Sequence, residues 1–230
     1  MMTAEGQLAW CNGTFLPADA LAVPYFDLGV VAGASVTEMA RTYGHRPFRL
    51  ERHVRRLTES LKSLGFPCEY QSNDWIDAAA SIVEHNAKQT SPRDELGIVM
   101  FATAGTNPTY LGGKGSVGTA AIHTFRLPFE LWRTSLSSGA RLSIPSLRQI
   151  SSQSLPVDHK IRNRLHWWLA DRQATDIEPG SRALLLNAQN LVTETSTSAF
   201  HAVINGEIVT SDRDVLASIS SEVAEELATT

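Results

Sequence analysis

Only four lysines occur in this 230-residue chain: Lys62, Lys88, Lys114 and Lys160. The first three have polar or glycine-rich neighbours, where solvation is role enough. Lys160 instead precedes an apolar run (Ile161, Leu165, Trp168, Leu169) and has Arg162 and Arg164 close by. Partial burial beside positive charge lowers an ammonium pKa from about 10.4 toward the range of a nucleophilic, proton-carrying amine. A solvated lysine at a helix start fits the same local context. Glu194 sits in a Ser/Thr-rich turn directly after an apolar strand pattern. Ser220, at the start of a helical stripe, is a plain N-cap or part of an anion site, and these roles are compatible.

The elements that must position these groups read as follows. Leu8 to about Phe26 is strand and turn, with Asn12-Gly13 as a hairpin signal. Residues 35–43 (SVTEMARTY) form a strand, and Gly44-His45-Arg46-Pro47 turns the chain into Phe48-Arg49-Leu50. Leu50, Val54, Leu57, Leu61 and Leu64 then share one helix face, closed by Gly65. A second helix starts near Asp74, Gly97–Ala102 is a buried strand, and 105–117 is a flexible loop rich in Gly, Thr and Asn. Further expectations are a strand at 119–124, strands within 138–150, a helix entered at Lys160, a strand at 183–187 and a hairpin at Asn205-Gly206. Val215, Ile219, Val223 and Leu227 stripe a last helix, after which the chain looks cut short. The division is a smaller N-terminal α/β domain (1–110), a linker (111–118) and a larger C-terminal domain (119–230).

Composition narrows the function classes. Hydrophobic residues make up 43% of the chain, enough for a sizeable core. No apolar run of about 18 residues occurs and no basic-then-apolar leader opens the chain, so the expectation is a cytoplasmic protein without a membrane span. A net charge of -4 argues against nucleic acid, and the one arginine-rich stretch (Arg46, Arg49, Arg52, Arg55, Arg56) is assigned to a short amphipathic helix. Cys11 and Cys68 lack metal-ligand spacing and are read as buried structural thiols; no metal site is expected.

Three distant segments, in order, resemble the class IV aminotransferases, enzymes that use pyridoxal 5'-phosphate (PLP). The first runs from Asp27-Leu28-Gly29 through Val36-Thr37-Glu38 and Arg41 to His53-Val54-Arg55-Arg56-Leu57; the resemblance makes Arg56 the phosphate arginine. The second, Lys160-Ile161-Arg162-Asn163-Arg164-Leu165, makes Lys160 the Schiff-base lysine. Arg164 stands near where many members carry a tyrosine for the cofactor's phenolic oxygen, and is a candidate for that contact. The third, Leu191-Val192-Thr193-Glu194-Thr195-Ser196, follows the strand Ala183–Asn187 and makes Glu194 the partner of the pyridine nitrogen. Leu216-Ala217-Ser218-Ile219-Ser220 resembles the family's phosphate-binding turn, in which Ile219 and Ser220 take part.

The resemblance implies a mixed α+β, two-domain fold like that of D-amino-acid aminotransferase, and a homodimer. Its favoured activity is transamination between a branched-chain-like amino acid and a 2-oxo acid, with Lys160 as both anchor and general base. A 4-amino-4-deoxychorismate lyase releasing pyruvate is the alternative. Glu38 leans toward transaminases and Asn163-Arg164-Leu165 toward lyases. Ala104, between Thr103 and Gly105, stands where several members place an arginine for a substrate carboxylate. A degenerate PLP-binding scaffold, or an interaction module without a cofactor, is the reading from another class.

Overall fold

The computed structural model describes residues 6–229. The chain forms two compact units: residues up to Leu127 together with Lys160–Asn163, and Pro128–His159 together with Arg164 onward.

The first unit is built on a hairpin of β1 (Leu8–Cys11) and β2 (Thr14–Pro17). Its turn residues Asn12 and Gly13 both have positive φ (46° and 84°), the conformation an Asn-Gly turn takes without strain. A short helix α1 (Leu28–Val31) precedes β3 (Ser35–Tyr43), which turns back through β4 (Arg46–Phe48). Helices α2 (Leu50–Ser63) and α3 (Ser72–Ala87) follow, then β5 (Leu96–Thr103) and β6 (Ala120–Arg126). The sheet order is β2-β1-β6-β5-β3-β4. Its alternate residues Val36, Ala40, Ile98, Met100 and Ile122 bury one face against Leu50, Val54, Leu57 and Leu61 of α2 and Trp75, Ile82 and Val83 of α3. Fully burying each such large side chain contributes about 1.5–3 kcal/mol, which is what holds the two helices on the sheet.

A buried carboxylate ties the loops to this sheet. Asp27 Oδ1 accepts from Gly29 N (2.7 Å), capping α1, while Oδ2 accepts from the hydroxyls of Thr103 (2.9 Å) and Thr119 (2.8 Å) and from Thr119 N (3.1 Å). The segment expected to be a flexible linker is thus closed at its base, where Thr106 N also bonds Ser116 O. The expected boundary at 111–118 differs from the observed unit, because β6 pairs with both β5 and β1 and therefore belongs to the first sheet.

The second unit begins with α4 (Phe129–Ser138) and a short β7 (Leu142–Ser143). It continues through α5 (Leu165–Ile177), β8 (Arg182–Leu186) and β9 (Val192–Thr195), then the hairpin β10 (His201–Ile204)/β11 (Glu207–Thr210) and α6 (Ile219–Ala228). Strand β7 runs parallel to β8, and β8 antiparallel to β9. Several expectations are corrected here. Only Leu142–Ser143 of 138–150 is strand, and 129–138 is helix. Helix α5 starts at Leu165 and buries Trp167, Ala170 and Ala174 against Ala183 and Leu185, whereas Leu165, Trp168 and Leu169 are exposed. Trp167, Ala170 and Ala174 share the face turned to the sheet, which leaves Leu165, Trp168 and Leu169 outward. Arg46 lies on β4 and Arg49 caps α2 in a left-handed conformation (φ 53°), so only Arg52, Arg55 and Arg56 of that stretch are helical. Cys11 and Cys68 are half-buried free thiols rather than fully buried ones. Among the described residues no helix is long and apolar enough to cross a membrane, and no cluster of potential ligands could hold a metal ion.

Candidate active site

In the first unit the Ser35–Thr37 end of β3 has an open edge, because β4 pairs only with Arg41–Tyr43. The segment Lys160–Arg162 occupies it. Thr37 N donates to Lys160 O (2.8 Å), Arg162 N donates to Ser35 O (2.9 Å), and Val36 pairs antiparallel with Ile161. Lys160 therefore does not enter a helix as expected. Its backbone satisfies the unpaired groups of a strand edge, a gain that local helix propensity cannot match.

The neighbouring residue of β3, Glu38, is fully buried on the opposite, helix-packed face. Its Oε1 accepts from Arg56 Nε (2.6 Å) and its Oε2 from Arg56 Nη2 (2.9 Å), with His53 Nδ1 2.8 Å from Oε2. His53 and Arg56 come from the same face of α2, three residues apart. Burial pushes the Glu38 carboxyl up, but the bonds from His53 and Arg56 outweigh it and leave the group below the usual carboxylate range. Arg56 is consequently held as a rigid cation by a partner that helix periodicity could not disclose.

In the second unit, Glu194 on β9 is half-buried. Its two oxygens face Gln149 Nε2 (3.3 Å) and Leu216 N (3.4 Å). Gln149, buried, also donates to Asp214 O (3.1 Å), and the Asp214 carboxylate accepts from Asn187 Nδ2 (3.2 Å) and Ser152 N (3.1 Å). Sequence reasoning missed Gln149: a lone glutamine in an irregular stretch carries no signal. Arg164 stands at the N-cap position of α5, and its Nη2 donates to Ser196 O in the turn after Glu194. Burial lowers its pKa, while the charges of Glu194 and Asp171 counteract that. His166, also unforeseen, has no hydrogen-bond partner for either ring nitrogen, and burial together with the Arg164 charge lowers its pKa to about 4.

Helix α6 begins at Ile219, capped by Ser218 Oγ, which accepts from Ser221 N (3.2 Å). The N–H groups of Ile219 and Ser220, in the first turn, have no intrahelical acceptor, and Ser220 is exposed. A cleft of about 350 Å³ opens nearby, lined by Glu194, Ser218, Asp158, Asp212, Glu222 and Glu225 among others. Ile219 and Ser220 do not line it, and its carboxylates would repel a phosphate.

The first unit offers an amine-bearing residue fixed to a strand edge and a buttressed arginine; the second offers a braced carboxylate and a helix N-terminus. Residues 35–230 match the family model for class IV aminotransferases. The chain belongs to the class IV aminotransferase family. Among curated relatives of this aminotransferase-family chain is a probable branched-chain-amino-acid aminotransferase of Rickettsia typhi, 23% identical over 190 residues; the match takes in 82% of this chain and 62% of that protein. The chain thus spans less than two thirds of the length of that relative. Among solved structures, the branched-chain aminotransferase of Thermoproteus uzoniensis with norvaline superposes with a TM-score of 0.82 at 23% identity, covering 97% of this chain and 74% of that one. The PLP form of the Thermobaculum terrenum branched-chain aminotransferase gives 0.79 at 23% identity, covering 97% and 73%. The fold is that of the branched-chain aminotransferases, the two-domain architecture the sequence resemblance implied.

Proposed function

We propose that this family member is a PLP-dependent transaminase that exchanges an amino group between a branched-chain-like amino acid and a 2-oxo acid. The observation that carries the reading is on β3: consecutive residues Thr37 and Glu38 secure Lys160 through its backbone and Arg56 through its side chain. The same strand thereby fixes, on its two faces, the residue we assign the amine and the arginine we assign to the phosphate.

The chemistry of these residues, taken unit by unit, supports roles toward the cofactor. Glu194, its oxygens directed by Gln149 and Leu216, is a fixed acceptor for a protonated ring nitrogen. The unpaired first-turn donors of Ile219 and Ser220 and the positive end of α6 suit a phosphate, as does Arg56. When bound, PLP supplies an electron sink that makes an amino acid's α proton acidic. Lys160 would hold the cofactor and would carry the proton to and from the substrate's α carbon. Glu194 would keep the ring nitrogen protonated. Arg164, bonded to Ser196 O next to Glu194, is the residue we assign to the cofactor's phenolic oxygen.

The test is cofactor uptake followed by amino transfer. Wild type incubated with PLP should turn yellow and lose that absorbance on borohydride reduction, and Lys160→Ala should do neither. Amino transfer from branched-chain amino acids to 2-oxoglutarate is then expected. A colourless wild type defeats the assignment, and pyruvate release from aminodeoxychorismate without net transfer replaces the transaminase with a lyase.

A further inference from the structure

The face of the first sheet turned away from α2 and α3 carries Thr37, Phe101 and Ala121 in one cross-strand row and Met39, Val99 and His123 in the next. The edge segment extends these rows. Lys160 lies opposite Thr37 and Arg162 opposite Ser35, while Ile161 pairs with Val36, whose side chain is in the helix-packed core. Because directly opposed residues of antiparallel strands share a face, Lys160 and Arg162 stand on the Thr37 side, separated along the strand by about 7 Å. The Arg162 side chain agrees with this placement: its guanidinium carbon is 4.9 Å from the centroid of the Phe101 ring.

Arg162 has no carboxylate partner among the described residues, and its charge acts on the half-buried His123. Burial lowers the pKa of Arg162, although part of the residue faces solvent. His123 is held toward its neutral form by burial and by the Arg162 charge, against the opposing bond at Thr124, so it adds no second cation. An exposed guanidinium that lies over an aromatic ring, with no carboxylate partner among the described residues, is available to an anion. Both groups share a face with the lysine assigned to the reaction.

We infer that Arg162 binds the α-carboxylate of the amino acid or 2-oxo acid that reacts at Lys160. The inference rests on the transaminase reading above. Arg162 supplies a planar fork that can meet both carboxylate oxygens. The subsite lies within the first unit and owes nothing to Ala104, which has no charge to offer.

The experiment uses PLP-loaded protein and two probes of one shape, 4-methylvaleric acid and its neutral amide 4-methylpentanamide, titrated by calorimetry. Wild type should prefer the acid. Arg162→Gln should weaken acid binding about ten- to hundredfold, the range of a charge-assisted pair, and leave the amide unchanged. Arg162→Lys should restore part of the loss, and PLP uptake by each variant reports that the protein is folded. Acid affinity in Arg162→Gln within about twofold of wild type, or a wild type that binds acid and amide alike, overturns the inference while leaving the cofactor assignment standing. A wild type that takes up no PLP overturns both, and is recognised by its missing colour before any titration.

Discussion

Replacing Glu38 by Gln keeps the shape of the side chain and removes its charge, which isolates what the buried carboxylate does for Arg56. In the native protein Glu38 receives two bonds from Arg56, at 2.6 and 2.9 Å, and lies 2.8 Å from His53 Nδ1. The amide can accept at only one atom and turns N–H groups toward a guanidinium or a ring N–H. Arg56, with a side chain only 16% exposed, then loses its counter-charge in a place where water can only partly replace it. Breaking a buried pair from one side costs about 3–5 kcal/mol, and the residual exposure of Arg56 places the expected loss near the lower end, about 3 kcal/mol. Against a typical total of about 5–15 kcal/mol this is readily measured. The assay is urea unfolding of the cofactor-free protein at neutral pH for wild type, Glu38→Gln, Arg56→Met and the double variant. The double variant should be less destabilised than the sum of the singles by about 2 kcal/mol, because the second substitution removes the charge that the first left stranded. The pH dependence has a defined sign. The folded-state pKa of Glu38 is below its unfolded value, so its stabilisation is complete above the ordinary carboxylate range and is lost as pH falls through the folded value. Glu38→Gln should shallow that acid limb. A cost below about 1 kcal/mol, or additive single variants, would refute the claim that Glu38 secures Arg56.

Three other outcomes follow from the geometry. Trp167→Ala should cost about 3–5 kcal/mol in thermal or chemical unfolding and Trp168→Ala less than about 1 kcal/mol, since only Trp167 packs under α5; equal costs would contradict the observed helix face. For His166, whose pKa is lowered to about 4 from an ordinary 6.5, the unfolded chain takes up a proton first on acidification, so stability is full above about 6.5 and declines toward pH 4. His166→Phe, which also removes two unpartnered ring nitrogens, should raise the melting temperature and flatten that decline; an unchanged pH profile would argue against it. Gly118→Ala would put a Cβ 2.1 Å from Thr103 Oγ1 and 2.7 Å from Gly105 N, so proteolysis at 104–118 should accelerate and stability fall, and a neutral result would mean that the Asp27-anchored loop base is not rigid.

Elements made by neighbours in sequence were legible. The Asn12-Gly13 and Asn205-Gly206 hairpins need only positive φ at the turn, and α2 needs only the spacing from Leu50 to Leu61. The apolar patterns at 35–43 and 97–102 became β3 and β5, close to the expected limits. Reading failed where a distant partner decided the outcome. Residues 160–163 carry a helix-like pattern, yet they pair with the open edge of β3. In α5 the largest apolar residues suggested the buried stripe, while the sheet selected Trp167 and two alanines. Strand β6 joined the first sheet because β1 and β5 offered it ladders on both sides.

By itself the sequence determined the kinds of chemistry available: a lysine set apart from three solvated ones, an arginine and a glutamate in family order, and a serine at a helix start. It also determined the local elements on which they ride, because turns, caps and periodicity act over a few residues. Tertiary structure alone decided that Glu38 and His53 brace Arg56, that Gln149 directs Glu194, and that Lys160 and Arg162 share a sheet face. The physical reason is that hydrogen bonds and desolvation depend on distance in space, and each of these contacts joins residues that only the folded sheets bring together.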